Sequence, residues 1–305
     1  MRIGLDMMGG DFAPTEAVKG VKLYLDTVAS DVHLVLIGDE QQLAPLLAAA
    51  QPDPSKYSVV HSSQVIGMDE HPTKALKEKP QSSISLGFHL LKNEKIDAFI
   101  SAGNTGAMMV GTYYSIKAIE GVQRPTISTL VPRENGSYGL LLDVGLTAEC
   151  HPANLEQFAL LGSLYSKYIL RVNNPKVGLL NIGEEEGKGN LLAQATYPLL
   201  KESKQINFVG NIEGRDVLSE KADVIVCEGF TGNIALKTAE GLARFCANEL
   251  RATFTSSPMA MLGALFASAG LNRMRKRMDP GAINGGPLLG LNGIVLKAHG
   301  GASER

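Results

Sequence analysis

Ile96 to Ala107, IDAFISAGNTGA, constrains the fold more than any other stretch. Ala98-Phe99-Ile100 is a short apolar run bounded by polar residues, the pattern of a strand buried on both faces of a parallel sheet. It breaks into Ser101-Ala102-Gly103-Asn104-Thr105-Gly106, and Ala107 to Ile116 then reads as a helix. A strand, a Gly-rich turn and a helix start together can hold an anion. Glycines let the backbone approach the ligand, and the free N–H groups of the helix start point at it. The plainer reading is a tight turn with Asn104 or Thr105 as N-cap.

The chain repeats this unit. Arg2–Asp6 ends in Met7-Met8-Gly9-Gly10-Asp11, His33–Gly38 ends in Asp39, and Gly139–Val144 ends in Asp143-Val144-Gly145. Lys176–Ile182 runs into Gly183–Asn190, Ile206–Val209 into Gly210–Asp216, and Val224–Cys227 into Glu228-Gly229-Phe230-Thr231-Gly232-Asn233. Helices follow over Ala17–Leu25, through Leu47, over Ser85–Leu91 and over Asn154–Leu170, the last with Leu155, Phe158, Leu161, Leu164, Tyr165 and Tyr168 as its apolar set. Another is expected from Ile234 to about Leu250, capped by Thr231 or Asn233. Alternating strands and helices predict an α/β fold, an αβα sandwich around a mainly parallel sheet. In such a sheet the Gly-bearing strand ends share the carboxyl edge, where ligands bind. Arg124-Pro125 breaks the pattern and marks a boundary between lobes of about 1–125 plus 280–305 and about 126–279.

Several chemistries lack their signatures. Gly183–Asn190 is one residue short of a P-loop, and Gly189 stands where a magnesium-holding Ser or Thr belongs. No G-x-S-x-G elbow occurs, and no G-x-G-x-x-G follows the first strand. The histidines have no metal spacing, so no metal or cofactor is expected. Among them only His299 lies in a Gly-rich strand-end turn, whereas His33 and His61 read as structural. Cys150, Cys227 and Cys246 are scattered, as in a reducing cytoplasm. A net charge of −2 gives no field for nucleic acid. The opening MRIGLDMMGGD reads as a strand rather than a leader, and no run reaches the roughly 20 apolar residues of a membrane span. What remains are backbone donors, amides and lysines, suited to binding an oxyanion or phosphate without a covalent intermediate.

Two further segments carry charge or apolar surface. Thr73–Ser83 holds Lys74, Lys77 and Lys79, either a solvated face or a cationic lip for an anion. Met259–Ala269, MAMLGALFASA, is apolar nearly all round and expected to stop at Gly270, before Arg273, Arg275, Lys276 and Arg277. It fits a subunit interface or a helix lying on an anionic bilayer.

These motifs resemble the bacterial phosphate acyltransferases of phospholipid synthesis, the PlsX family. The resemblance rests on DMMGGDFAP (6–14), ISAGNTGAMM (100–109), Arg124-Pro125, LLLDVG (140–145), VGLLNIGEEEGKGN (177–190), INFVGNIEGRD (206–216), VIVCEGFTGNIALKTAEG (224–241) and GGPLLGLNGIVLKAHG (285–300), in that order. The chain departs from the family's pattern at Met7, where Ala is usual, and at Leu146-Thr147, where Ala-Asn often follows the Gly.

The resemblance implies acyl transfer from acyl carrier protein to inorganic phosphate. It also implies a two-lobed fold similar to isocitrate and isopropylmalate dehydrogenases and to phosphotransacetylase. A cytoplasmic homodimer peripherally bound to membrane is implied, with a helical tip at 255–278 and a downstream glycerol-3-phosphate acyltransferase as partner.

The candidate catalytic residues are Lys188, Asn104, Asn233 and Asp143. Asp143, like Asp6 and Asp11, is expected to order loops. Candidate phosphate and substrate contacts are Gly9, Gly10, Asp11, Lys74, Gly103, Thr105, Gly106, Thr231, Gly232 and His299. Arg273, Arg275, Lys276 and Arg277 are candidates for carrier or membrane contact, and Lys74 to Lys79 is the second candidate basic patch for the acidic carrier protein. Competing classes are a metal- and nicotinamide-dependent dehydrogenase, whose acidic ligands and cofactor loop are not found, a non-catalytic docking protein, and acetyl transfer from coenzyme A.

Overall fold

The computed structural model describes residues 1–28, 31–278 and 285–301, apart from the side chains of 275–278. Two compact units arise, Met1–Pro125 with Asn284–Arg305, and Thr126–Ile283.

In the first unit the strands are β1 (Arg2–Asp6), β2 (His33–Gly38), β3 (Tyr57–His61), β4 (Ala98–Ser101), β10 (Gly286–Leu289) and β11 (Ile294–Lys297). They lie in the order β3-β2-β1-β4-β11-β10, all parallel except β10. Leu36 and Ile37 of β2 are fully buried, as an uninterrupted apolar run demands. Their burial contributes about 1.5–3 kcal/mol each. The helices are α1 (Thr15–Thr27), α2 (Glu40–Ala50), α3 (Pro72–Glu78), α4 (Ser83–Lys92) and α5 (Thr105–Gly111). Asp39 caps α2 by accepting from the Gln41 N–H at 3.0 Å. On α4, Phe88 meets Phe99 of β4 edge-to-face at 5.2 Å, and Gly87 leaves room for that ring. The helix expected from Ala107 begins at Thr105, because the Asn104 side chain accepts from the Ala107 N–H, and it widens into a π-turn over Thr112–Ile116.

In the second unit β5 (Thr126–Pro132), β6 (Tyr138–Leu142), β7 (Lys176–Asn181), β8 (Asn207–Glu213) and β9 (Val224–Val226) are ordered β5-β6-β9-β7-β8, parallel except β5. Its helices are α6 (Pro152–Tyr168), α7 (Leu191–Glu202), α8 (Gly229–Thr255) and α9 (Pro258–Met278).

Three expectations are corrected here. On α6, Leu164 and Tyr168 are exposed, whereas Gly162, Ser163 and Ser166 are buried. The small residues allow close approach to the sheet: a Cβ on Gly162 would lie 2.6 Å from Val224 Cγ1. Helix α8 starts at Gly229, not Ile234, because Glu228 is the cap. Helix α9 runs through Gly270 to Met278, since one exposed glycine costs a helix only about 1 kcal/mol. Its Met259, Met261, Leu265 and Phe266 are exposed. No described helix is long and apolar enough to cross a membrane.

Candidate functional site

Parallel pairing puts the ends of β1, β4 and β11 on one edge of the first unit. There the Asp6 carboxylate ties two loops together. Its Oδ1 accepts from the Met8 N–H at 3.0 Å, and its Oδ2 accepts from the Ser101 hydroxyl at 2.6 Å. Ser101 Oγ in turn accepts from the Gly103 N–H at 3.0 Å. Gly9 lies flat on this corner, where a Cβ would stand 2.3 Å from Asp6 Oδ2 and 2.5 Å from the Gly103 nitrogen. Gly10 has φ +105°, open to glycine at little strain. The Asp11 N–H donates to the Gly300 carbonyl at 2.8 Å, and His299 Nδ1 accepts from the Gly301 N–H at 3.1 Å. Gly9, Gly10, Asp11, Gly103 and His299 therefore meet at one edge. A cavity of about 290 Å³ opens beside this glycine loop, with Ile3, Leu5, Val21 and Tyr24 in its wall.

Asn104 is 4% exposed and fully occupied. Besides capping α5, its amide donates to the carbonyls of Gly67, Met68 and Glu70 at 2.9 to 3.2 Å. Its role is to fasten the 67–70 loop to the start of α5. Thr105 is exposed, and Gly106 abuts Pro72, whose Cγ would lie 2.3 Å from an added Cβ. That contact carries α3, and Lys74 on it, to the same place. Lys74 is 71% exposed and 4.0 Å from Glu78. Lys79, by contrast, is committed to Glu70 at 2.5 Å.

Sequence reasoning missed two residues here. Ser101 relays Asp6 to the Gly103 N–H, and a serine closing an apolar strand was its only signal. Lys297 is 8% exposed, pairs in register with Ser101, and donates from Nζ to the Ala298 carbonyl. A lysine ending the apolar run IVLK could have flagged it.

On the carboxyl edge of the second unit, Asp143 is fully buried after β6. Its Oδ1 accepts from Gly145 and Leu146 at 3.0 and 2.9 Å, and its Oδ2 from Thr147 at 2.8 Å. Burial pushes its carboxyl up to about 6, against the pull of those N–H groups. Asp143 thus shapes the 145–147 loop.

The start of α8 packs directly on this loop. The Gly229 N–H donates to the Thr147 carbonyl at 2.8 Å. A Cβ on Gly232 would fall 1.9 Å from the Asp143 carbonyl oxygen. Thr231 and Gly232 lie inside the helix rather than in a turn. Their N–H groups donate to Glu228 Oε1 and Glu228 O, both at 3.1 Å, and the Thr231 hydroxyl also bonds the Glu228 carboxylate. Glu228 was missed, although a Glu three residues before a Thr at a helix start was its signal. Asn233 is exposed and stands against Gly145, about 3.5 Å from the position of an added Cβ. Lys188 is exposed in the loop after β7, on the same edge, 4.0 Å from Glu185.

Cys227 is buried, and that burial pushes its thiol well above the usual range, so it is held protonated. Among the described residues no group of His, Cys, Asp and Glu could hold a metal ion. Arg273 is exposed on α9, whereas the side chains of Arg275, Lys276 and Arg277 lie outside the described residues.

The sequence profile of the family described as "Fatty acid synthesis protein" matches residues 1–305. Proteins named phosphate acyltransferase are similar along the whole chain. The one from Dictyoglomus turgidum is 44% identical over 301 residues, 98% of this chain and 89% of its own. The one from Desulfitobacterium hafniense is 44% identical over 306 residues, 100% of this chain and 90% of its own. Among solved structures, the EutD phosphotransacetylase from Staphylococcus aureus matches with a TM-score of 0.62 at 17% identity, over 100% of this chain and 90% of that one. A phosphotransacetylase from Streptococcus pyogenes matches with a TM-score of 0.63 at 15% identity, over 100% and 89%. At such identities these two establish the fold alone. The chain belongs to the fatty acid synthesis protein family whose members are named phosphate acyltransferases.

Proposed function

We propose that this member of the family moves a long-chain acyl group from the thioester of acyl carrier protein to inorganic phosphate, giving acyl phosphate for phosphatidic acid synthesis. Acyl transfer to phosphate is the activity in the name of relatives 44% identical over nearly the whole chain, and that observation carries the reading. A phosphate oxygen attacks the thioester carbonyl, the C–S bond breaks, and the carrier leaves as thiolate and takes up a proton. A thiol pKa of about 8.5 makes this leaving group easy, so no strong acid is needed.

The roles follow the two edges, each taken separately. On the first, the glycine corner of Gly9, Gly10 and Gly103, the start of α5 at Thr105 and Gly106, and the charges of Lys74 and Lys297 suit phosphate. Asp6, Asp11, Asn104 and His299 hold that corner in shape. The apolar cavity beside it suits an alkyl chain. On the second, the Asn233 amide serves as the oxyanion donor, because the Thr231 and Gly232 N–H groups are already taken. Lys188 neutralises phosphate or pantetheine charge. A protonated, buried Cys227 supports direct attack over an acyl-enzyme.

The protein works as a cytoplasmic homodimer resting on the membrane. The uncovered apolar residues of α9, with Arg273 beyond them, support both contacts. It hands acyl phosphate to a glycerol-3-phosphate acyltransferase.

Thiol release from acyl carrier protein tests the direct attack. It should require phosphate, with no burst in its absence. A phosphate-independent burst equal to the enzyme concentration would mean an acyl-enzyme. Lys188→Ala should raise the phosphate KM or slow turnover, and no change in either removes Lys188 from the site.

A further inference from the structure

The first unit carries a groove of about 640 Å³ between α3, α4 and the helical segment that continues α5. Leu76, Leu86, Val110 and Tyr114 give it an apolar floor, and Lys77, His89 and Lys92 stand along it. Among the described residues no carboxylate lines it. The neighbouring lysines differ: Lys74 faces Glu78, and Lys79 is bound to Glu70. Tyr114 is 69% exposed, with its ring edge-on to Tyr113 at 5.6 Å. Among the described residues neither Lys77 nor Lys92 forms an ion pair, and aromatics with a cationic rim are what interfaces for acidic partners carry.

The position of the groove narrows its use. Thr73 lines it, and the adjoining Pro72 abuts Gly106 at the start of α5. From Thr105 to Ser115, also in its lining, is ten residues of helix, about 15 Å at 1.5 Å per residue. A protein seated there lies one flexible arm's length from the glycine corner.

We propose that this groove docks the acyl donor protein, through an amphipathic helix whose acidic side meets Lys77 and Lys92 and whose apolar side covers Tyr114. The inference rests on the reading that the donor is a carrier protein. It assigns that protein's seat to the α3–α5 face of the first unit, and not to the basic segment that ends α9.

The test is a pair of measurements on the whole protein, wild type and the exposed-site variants Lys77→Glu/Lys92→Glu and Tyr114→Ala, each checked for an unchanged melting curve. Labelled acyl carrier protein is titrated by fluorescence anisotropy at several salt concentrations. Thiol release is followed with the long-chain carrier thioester and with the matching pantetheine thioester, which lacks the protein. The double variant should bind the carrier at least about tenfold more weakly, with a shallower salt dependence. Its KM for the carrier thioester should rise likewise, while kinetics with the pantetheine thioester stay unchanged. Tyr114→Ala should weaken binding without altering the salt slope.

Unchanged carrier binding by all variants overturns the proposal, and so does an equal loss with both thioesters. A change of oligomeric state with carrier binding intact would make the groove a self-interface and overturn it as well. If the wild type releases no thiol, the acyl-transfer reading fails, and the anisotropy titration still decides the groove.

Discussion

Gly232→Ala and Gly241→Ala place the same methyl group on the same helix, and the structure predicts opposite outcomes. At Gly232 the new Cβ would lie 1.9 Å from the Asp143 carbonyl oxygen and 2.9 Å from Cys227 Sγ. Reaching even a tight 3.4 Å contact requires the start of α8 to retreat by about 1.5 Å from the Asp143 loop. The obstacle is backbone and cannot rotate away. That retreat breaks the 2.8 Å bond from Gly229 to Thr147 and lifts Asn233 off Gly145. Overpacking at about 1–3 kcal/mol and a lost hydrogen bond near 1 kcal/mol give roughly 3 kcal/mol of destabilisation. At Gly241 no described atom lies within 4 Å, so alanine adds helix propensity of about 0.5–1 kcal/mol. At ~2–4 °C per kcal/mol, thermal denaturation should show Gly232→Ala melting on the order of 10 °C lower and Gly241→Ala about 2 °C higher. Turnover should fall with the first variant and not with the second. A Gly232→Ala protein melting with the wild type would refute the claim that α8 is seated on the Asp143 carbonyl.

Gly9→Ala should raise the phosphate KM by about tenfold or more, because its methyl enters the space between Asp6 and the Gly103 nitrogen; initial rates against phosphate measure it. Asn104→Ala removes a cap and strands three carbonyls, and should cost about 2 kcal/mol in denaturant unfolding. Asp143 predicts a pH dependence. Its folded value near 6 lies above the ordinary 3.8, so the native state binds a proton that the unfolded chain releases earlier. The resulting stabilisation is complete below about pH 4 and lost as pH rises through 6, a change of ~3 kcal/mol. The stability difference between wild type and Asp143→Asn should therefore shift by that amount between pH 4 and pH 7, and a constant difference would contradict it.

The sheet was legible because its strands are continuous apolar runs that fit nowhere but a covered parallel sheet. Arg2–Asp6 and His33–Gly38 are found with the expected limits. Helix starts were less legible. Glu228 caps α8 with a long side chain that sequence reasoning overlooks beside Thr231 and Asn233, the short residues that cap most helices. On α6 Leu155 and Phe158 are buried as expected, but in its second half the buried positions are Gly162, Ser163 and Ser166, which close packing favours over the larger Leu164 and Tyr168. In the candidate site the glycines could be read directly, since Gly9, Gly106 and Gly232 mark places with no room for a side chain and Gly10 a positive φ. The hydrogen bonds that decide between chemistry and scaffolding could not. Asn104 and Thr231 have donors and acceptors suited to catalysis, and only their partners reveal that they hold loops and helix starts. Lys297 escaped notice because strand pairing, not sequence proximity, brings it beside Ser101.

The measurement that bears most directly on the proposed activity is acyl phosphate formation by the purified protein from long-chain acyl carrier protein and inorganic phosphate. The product is trapped as the hydroxamate, with acyl coenzyme A run in parallel. Phosphate-dependent hydroxamate from the carrier thioester, with little from coenzyme A, is the predicted result. No hydroxamate from either thioester, with the protein folded, would contradict the account.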